Sequence, residues 1–189
     1  SNVTVREGFE VTEVVQEDRV VKGVTGYVVG SPARRDAYYA PLTIGADGRH
    51  SVFHAACGLT KTHLARRRFG LTGHLRGVQG GGSYIEVLLQ PQGEIYVAPC
   101  GEGLTLVVLL LEEKSMRFFA GDLPGRYHAF LMSAAGFRER ALTSELVGPV
   151  FAVGPLGFTI EPCYRPGLLL VGDSAGFLDP ITGEGMTLA

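Results

Sequence analysis

The opening of the chain alternates valine and threonine with polar residues, which predicts strands at residues 3–5, 9–15 and 19–29, separated by short turns such as Glu17-Asp18. A polar loop, residues 31–36, precedes a further predicted strand over 37–44, which runs into Gly45-Ala46-Asp47-Gly48. Residues 49–57 have helical composition and stop at Gly58. From 69 to 111 short apolar runs alternate with the glycine clusters Gly80-Gly81-Gly82, Gln92-Gly93 and Gly101-Glu102-Gly103, the pattern of an antiparallel sheet. Residues 122–135 predict a helix with an acidic start and a stop at Gly136, and residues 137–146 predict helix or loop. Extended segments at 150–160 lead through Pro162 and Pro166 to a buried strand at 168–171, after which Gly172-Asp173-Ser174-Ala175-Gly176 predicts a tight turn that opens a helix.

Composition narrows the function classes. With 46% hydrophobic residues, 19% charged residues and a formal net charge of -2, the chain has the balance of a globular protein with a real core, and nothing draws it to nucleic acid or an acidic membrane surface. The basic run Arg66-Arg67-Arg68 is expected to be a solvated loop or strand edge. Cys57, Cys100 and Cys163 are odd in number and far apart, so neither a disulfide framework nor a metal site is expected, and a reducing cytoplasm is the simplest location. The apolar run at 104–111 is too short to span a bilayer, and stable membrane anchoring is not expected.

The turn after the last strand admits two chemistries. Gly172, Asp173, Ser174, Ala175 and Gly176 fit G-x-S-x-G and resemble the elbow of hormone-sensitive-lipase-like esterases, where a serine is activated by a histidine that follows it in the chain. All five histidines here, His50, His54, His63, His74 and His128, precede Ser174. Without a base in the expected order the hydroxyl is not activated, so a truncated esterase is the lesser alternative.

The longer stretch from Gly172 to Gly185 fills the pattern GD-x-A-G-x-x-x-P-x-x-G-x-G, and resembles the second FAD-binding motif of the p-hydroxybenzoate-hydroxylase-like flavoproteins, a superfamily that includes aromatic hydroxylases, flavin-dependent halogenases and geranylgeranyl reductases. Gly45-Ala46-Asp47-Gly48-Arg49-His50-Ser51 resembles the same superfamily's G-A-D-G-x-x-S segment, with His54 where an arginine usually stands. The resemblance implies an FAD site built from Asp47, Gly48, Gly172, Asp173, Ala175, Gly176, Pro180, Gly183 and Gly185. Asp47 would lie near the pyrophosphate and ribityl chain, and Asp173 would accept a hydrogen bond from a ribityl hydroxyl. Ala175 and Gly176 would let backbone approach the cofactor, and Pro180, Gly183 and Gly185 would shape a loop beside the isoalloxazine ring.

The implied fold is α+β or α/β: a partial, Rossmann-like FAD-binding domain, residues 1–65 and 162–189, with an inserted, mostly antiparallel sheet domain for substrate at 66–161. The superfamily's G-x-G-x-x-G segment is absent from residues 1–189, so a fragment is expected, unable by itself to hold FAD tightly and prone to homodimerise through exposed edges. The parent is expected to be an FAD-dependent oxidoreductase, a monooxygenase or geranylgeranyl-reductase-like enzyme, acting on a small organic or apolar substrate with NADH or NADPH as a candidate donor. The chain has no tryptophan, which removes the G-W-x-W-x-I-P signature of halogenases. No metal site is expected and no catalytic residue stands out, although Tyr84, Tyr96 and His74 are candidates to line a pocket. The competing class is a non-catalytic module that binds an apolar ligand, marked by a finished polar surface where the fragment would expose an apolar one.

Overall fold

The computed structural model describes residues 3–182, apart from the Arg66 and Thr182 side chains. It divides into two compact units, one comprising Ser1–Leu64 and Gly157–Ala189, the other Ala65–Leu156.

The first unit begins with an antiparallel meander of β1 (Phe9–Glu17), β2 (Val20–Val28) and β3 (Arg35–Tyr39). Asp18 and Arg19 both have positive φ, 48° and 63°, and Glu17 pairs with Val20 across this two-residue turn, whose twist suits the flanking strands. Residues 3–5 are not a strand: Gly8, at φ 65°, turns the chain before β1, and Val3 and Val5 stay exposed. The strand expected over 37–44 is two strands in two sheets. Pro41 has no N–H for a ladder, so β3 ends at Tyr39 and β4 (Thr43–Gly45) starts elsewhere.

β4 lies parallel to β11 (Leu168–Leu170), with Ile44 opposite Leu169 and Gly45 opposite Leu170, and β10 (Tyr164–Arg165) pairs antiparallel on the far side of β11. Leu168 and Leu170 enter a core with Val21, Phe53, Leu59, Phe158 and Ile160. On the other face Ile44 and Leu169 are 57% and 39% exposed. Parallel strands are ordinarily covered on both faces, so this bare apolar face is unusual for a finished sheet.

The turn between β10 and β11 ties these sheets together. Pro166 O accepts from Val21 N at 2.8 Å and Gly167 O from Thr43 N at 2.9 Å. Gly167 has φ +77°, and a Cβ there would collide with the backbone carbonyl of Val21. Gly167→Ala is expected to cost at least about 2 kcal/mol by denaturant unfolding, because left-handed strain and a backbone clash add. The control Gly136→Ala, at φ +77° with no atom within 4 Å of the added Cβ, carries the strain alone and is expected to cost less.

The helical segment expected at 49–57 is a 3-10 turn, Gly48–His50, followed by α1 (Val52–Ala56). The chain passes to the second unit in β5 (Thr60–Arg76) and returns in β9 (Glu145–Glu161), and β12 (Gly176–Phe177) pairs with β9 through Gly176 opposite Thr159.

The second unit is an antiparallel sheet in the order β9, β5, β8 (Leu104–Glu112), β7 (Gly93–Gly101), β6 (Glu86–Gln90). After β8 come a 3-10 segment, Glu113–Phe119, then α2 (Leu123–Ser133) and α3 (Arg138–Ala141). Asp122 caps α2 by accepting from Gly125 N at 3.0 Å, and Pro124 sits in its first turn, where no N–H is needed. One sheet face, with Leu71, Leu75, Ile95, Val97, Val107, Leu109 and Leu111, packs on Phe119, Tyr127, Leu131 and Phe137. Tyr127 donates to Val107 O at 2.7 Å, and burial pushes its phenol well above the usual range. The basic run is not uniformly solvated. Arg67 pairs with Glu113, but Arg68, on the other side of the strand with Gly70 and Thr72, is 2% exposed and pairs with Glu94.

Candidate functional site

The two acidic turns singled out in the sequence stand side by side at the carboxyl ends of β4 and β11. After β11, Val171 N donates to Gly45 O at 3.0 Å, extending the parallel pairing one step into the turn. Gly45 has no room for a side chain: a Cβ would meet Leu170 Cδ2 at 2.7 Å and Phe53 Cδ2 at 2.8 Å. The carboxyl ends of neighbouring parallel strands are where open α/β sheets bind ligands.

In the first turn Asp47 is exposed and its Oδ2 accepts from Val52 N at 2.9 Å, so this carboxylate also starts α1. Ser51 caps the same helix, its Oγ accepting from Phe53 N at 3.2 Å. Gly48 has φ +78° and nothing within 4 Å of where a Cβ would stand.

In the second turn the expected helix is a single 3-10 turn, Gly172–Ser174, followed by β12, because Gly176 and Phe177 pair with β9 instead of continuing a helix. Gly172 has φ 58°. Asp173 is half-buried and makes no hydrogen bond or ion pair with another described residue. Ala175 N closes the turn on Gly172 O at 2.9 Å, and Ala175 O accepts from Ile160 N at 3.3 Å. A Cβ at Gly176 would meet Phe158 O at 3.2 Å, so its smallness serves the pairing with β9. Pro180 begins a 3-10 turn, Pro180–Thr182, while Gly183 and Gly185 lie outside the described residues.

Ser174 is fully buried at 0% exposure, with its Oγ in hydrogen-bond contact with Gly45 O and, at 2.7 Å, with Val171 O. A hydroxyl enclosed this way and bound to carbonyls is not the exposed nucleophile of an elbow, which removes the esterase alternative. Its own carbonyl accepts from His54 Nε2 at 2.7 Å.

Sequence reasoning missed Lys61, for which no motif signals. Its Nζ donates to Arg49 O at 2.8 Å and stands 3.7 Å from the centre of the Phe158 ring. Burial, with the nearby Arg49 charge, lowers its pKa below the usual lysine value. The two turns thus stand together with the carboxylates of Asp47 and Asp173 and the left-handed glycines Gly48 and Gly172, and Lys61, from β5, reaches the backbone of the first turn at Arg49 O. That donor set suits a ligand with hydroxyls and phosphates: the carboxylates accept from hydroxyls, the cations attract phosphate, and the space beside Gly48 is open. These residues fit FAD. Among the described residues no group of three or more His, Cys, Asp or Glu could hold a metal, and no helix is long and apolar enough to cross a membrane.

In the second unit the sheet face opposite α2 and α3 is also largely apolar. Cross-strand register puts Val87, Tyr96, Val108 and Thr72 in one row, and Leu89, Glu94, Leu110 and Gly70 in the next. Val87, Leu89, Phe151 and Val153 on this face are exposed, Leu89 at 77%. Tyr96 and His74 belong to it and are half-buried, whereas Tyr84 lies in the exposed loop before β6.

No family model matches the chain. A digeranylgeranylglycerophospholipid reductase of Thermoplasma acidophilum is 31% identical over 157 residues, covering 79% of this chain and 38% of the relative. A solved geranylgeranyl bacteriochlorophyll reductase-like protein of Thermoplasma acidophilum superposes with a TM-score of 0.71 at 25% identity, covering 93% of this chain and 43% of that one. The myxobacterial chondrochloren halogenase CndH, an FAD-dependent halogenase, shares the fold with a TM-score of 0.86 at 16% identity, over 95% of this chain and 43% of that one. The chain spans less than half the length of the curated relatives it matches.

Proposed function

The chain belongs to the superfamily of FAD-dependent oxidoreductases that contains the p-hydroxybenzoate-hydroxylase-like enzymes and the geranylgeranyl reductases, and on that premise we propose that it forms part of an enzyme reducing carbon–carbon double bonds in an apolar, isoprenoid-like substrate. The observation that carries the reading is the meeting of the Asp47 and Asp173 turns at the ends of two adjacent parallel strands.

FAD is the cofactor of this superfamily and supplies two-electron transfer to and from the substrate when bound. Asp173, whose carboxylate no described residue engages, would accept a hydrogen bond from a ribityl hydroxyl. Asp47, with Oδ2 committed to Val52 N, would offer its other oxygen to the ribityl and pyrophosphate segment, and Arg49 and Lys61 would add positive charge on that side. Gly48, Gly172, Ala175 and Gly176 would keep backbone near the cofactor, and Pro180, at the start of its 3-10 turn, would stand toward its ring. The bare sheet face of the second unit, with Val87, Leu89, Phe151 and Val153, binds hydrocarbon and sheds water from it. Alkene reduction is favoured over hydroxylation by that apolar face and by the relatives named as reductases.

A finished binding module would present a polar surface beside β4 and β11. Leu42, Ile44, Tyr164 and Leu169 are exposed there instead, which supports further polypeptide packing on that face. The test uses the full-length encoded protein with FAD, a two-electron reductant and a lipid bearing an unsaturated isoprenoid chain. Mass spectrometry is expected to show two hydrogens added per double bond, and a flavin-loaded protein that leaves the chain unsaturated would refute alkene reduction.

A further inference from the structure

We propose that His54 is the positioning residue of the Asp173 turn: by holding the Ser174 carbonyl it fixes where the neighbouring carboxylate stands. The inference rests on the FAD reading above and adds a residue that touches neither cofactor nor substrate.

The support is a closed circuit of hydrogen bonds. Asp47 Oδ2 takes the Val52 N–H and so sets the start of α1. α1 carries His54, whose Nε2 lies 2.7 Å from Ser174 O. A carbonyl only accepts, so Nε2 carries the proton. Ser174 Oγ returns to Gly45 O, two residues before Asp47. Each acidic turn therefore holds the other. The His54 ring is itself held edge-on against Phe158, 6.5 Å between centroids, so its donor is aimed before any ligand arrives. Ser174 is fully buried, so water is a poor substitute for the lost donor, and Asp173 has no tether of its own to another described residue.

The experiment compares FAD binding and the visible absorption of bound flavin in the full-length encoded protein and three variants. His54→Phe keeps an aromatic ring and removes the donor, and is expected to raise the FAD Kd at least about tenfold and to shift the flavin band. His54→Gln restores a donor at similar reach and is expected to stay within about threefold of the parent. His54→Glu has the length of glutamine with acceptors only, and is expected to behave like His54→Phe, which keeps the comparison alive if the phenylalanine variant does not fold. A parent that binds FAD, with Phe or Glu variants of unchanged Kd and spectrum, would overturn the proposal alone, as would a Gln variant as weak as the others. A full-length parent that binds no FAD would overturn the cofactor reading beneath it.

Discussion

Asp173→Ala is expected to weaken FAD binding by the full-length protein about 10- to 100-fold, the range set by one hydrogen bond to a charged acceptor of about 1.5–3 kcal/mol. Asp173 is half-buried at the end of β11 and bonds to no described residue, so its carboxylate is not engaged in holding the fold. The same substitution should therefore leave unfolding free energy within about 0.5 kcal/mol of the parent. Asp173→Asn keeps an acceptor and loses the charge, and should fall between the two. Flavin fluorescence titration with parallel urea unfolding checks both halves. Equal affinity for parent and alanine variant would remove Asp173 from the cofactor site, whereas a large stability loss would make it a structural residue.

The largest stability effect is expected in the second unit, at Arg68 and Glu94. Arg68 is 2% exposed, pairs with Glu94, and has Nη2 3.4 Å from Leu110 O. Removing one partner strands a charge in an apolar sheet, so Arg68→Met or Glu94→Leu should each cost about 3–5 kcal/mol. Replacing both, Arg68→Met with Glu94→Leu, should recover most of that loss, because no buried charge is left uncompensated. Chemical unfolding of the four proteins gives the coupling directly. Additive losses would mean that the two side chains act independently.

How much of this was legible in the sequence depended on whether a residue's role was local. The β1–β2 hairpin, the antiparallel character of the second unit and α2 with its Asp122 cap follow from alternation and turn chemistry, which act over a few residues. The split between β3 and β4 turns on Pro41, a local signal that the tyrosine and apolar residues on either side of it hid. The helix expected after Gly172 was lost to pairing between Gly176 and Thr159, a tertiary contact that no window of sequence contains. Arg68 looked solvated because its neighbours are basic, yet strand alternation gave it the opposite side from Arg67. For the site, the two acidic turns could be named from their motifs, but their adjacency rests on the parallel register of β4 with β11. Lys61 and the His54 contact with Ser174 join residues far apart in the chain and left no spacing to read.

The central claim is that these two turns form one FAD site, and amide hydrogen exchange of the full-length protein with and without FAD tests it most directly. The account predicts that FAD slows exchange together at residues 45–50 and 172–176. Strong protection by bound FAD elsewhere, with both turns exchanging as before, would contradict it.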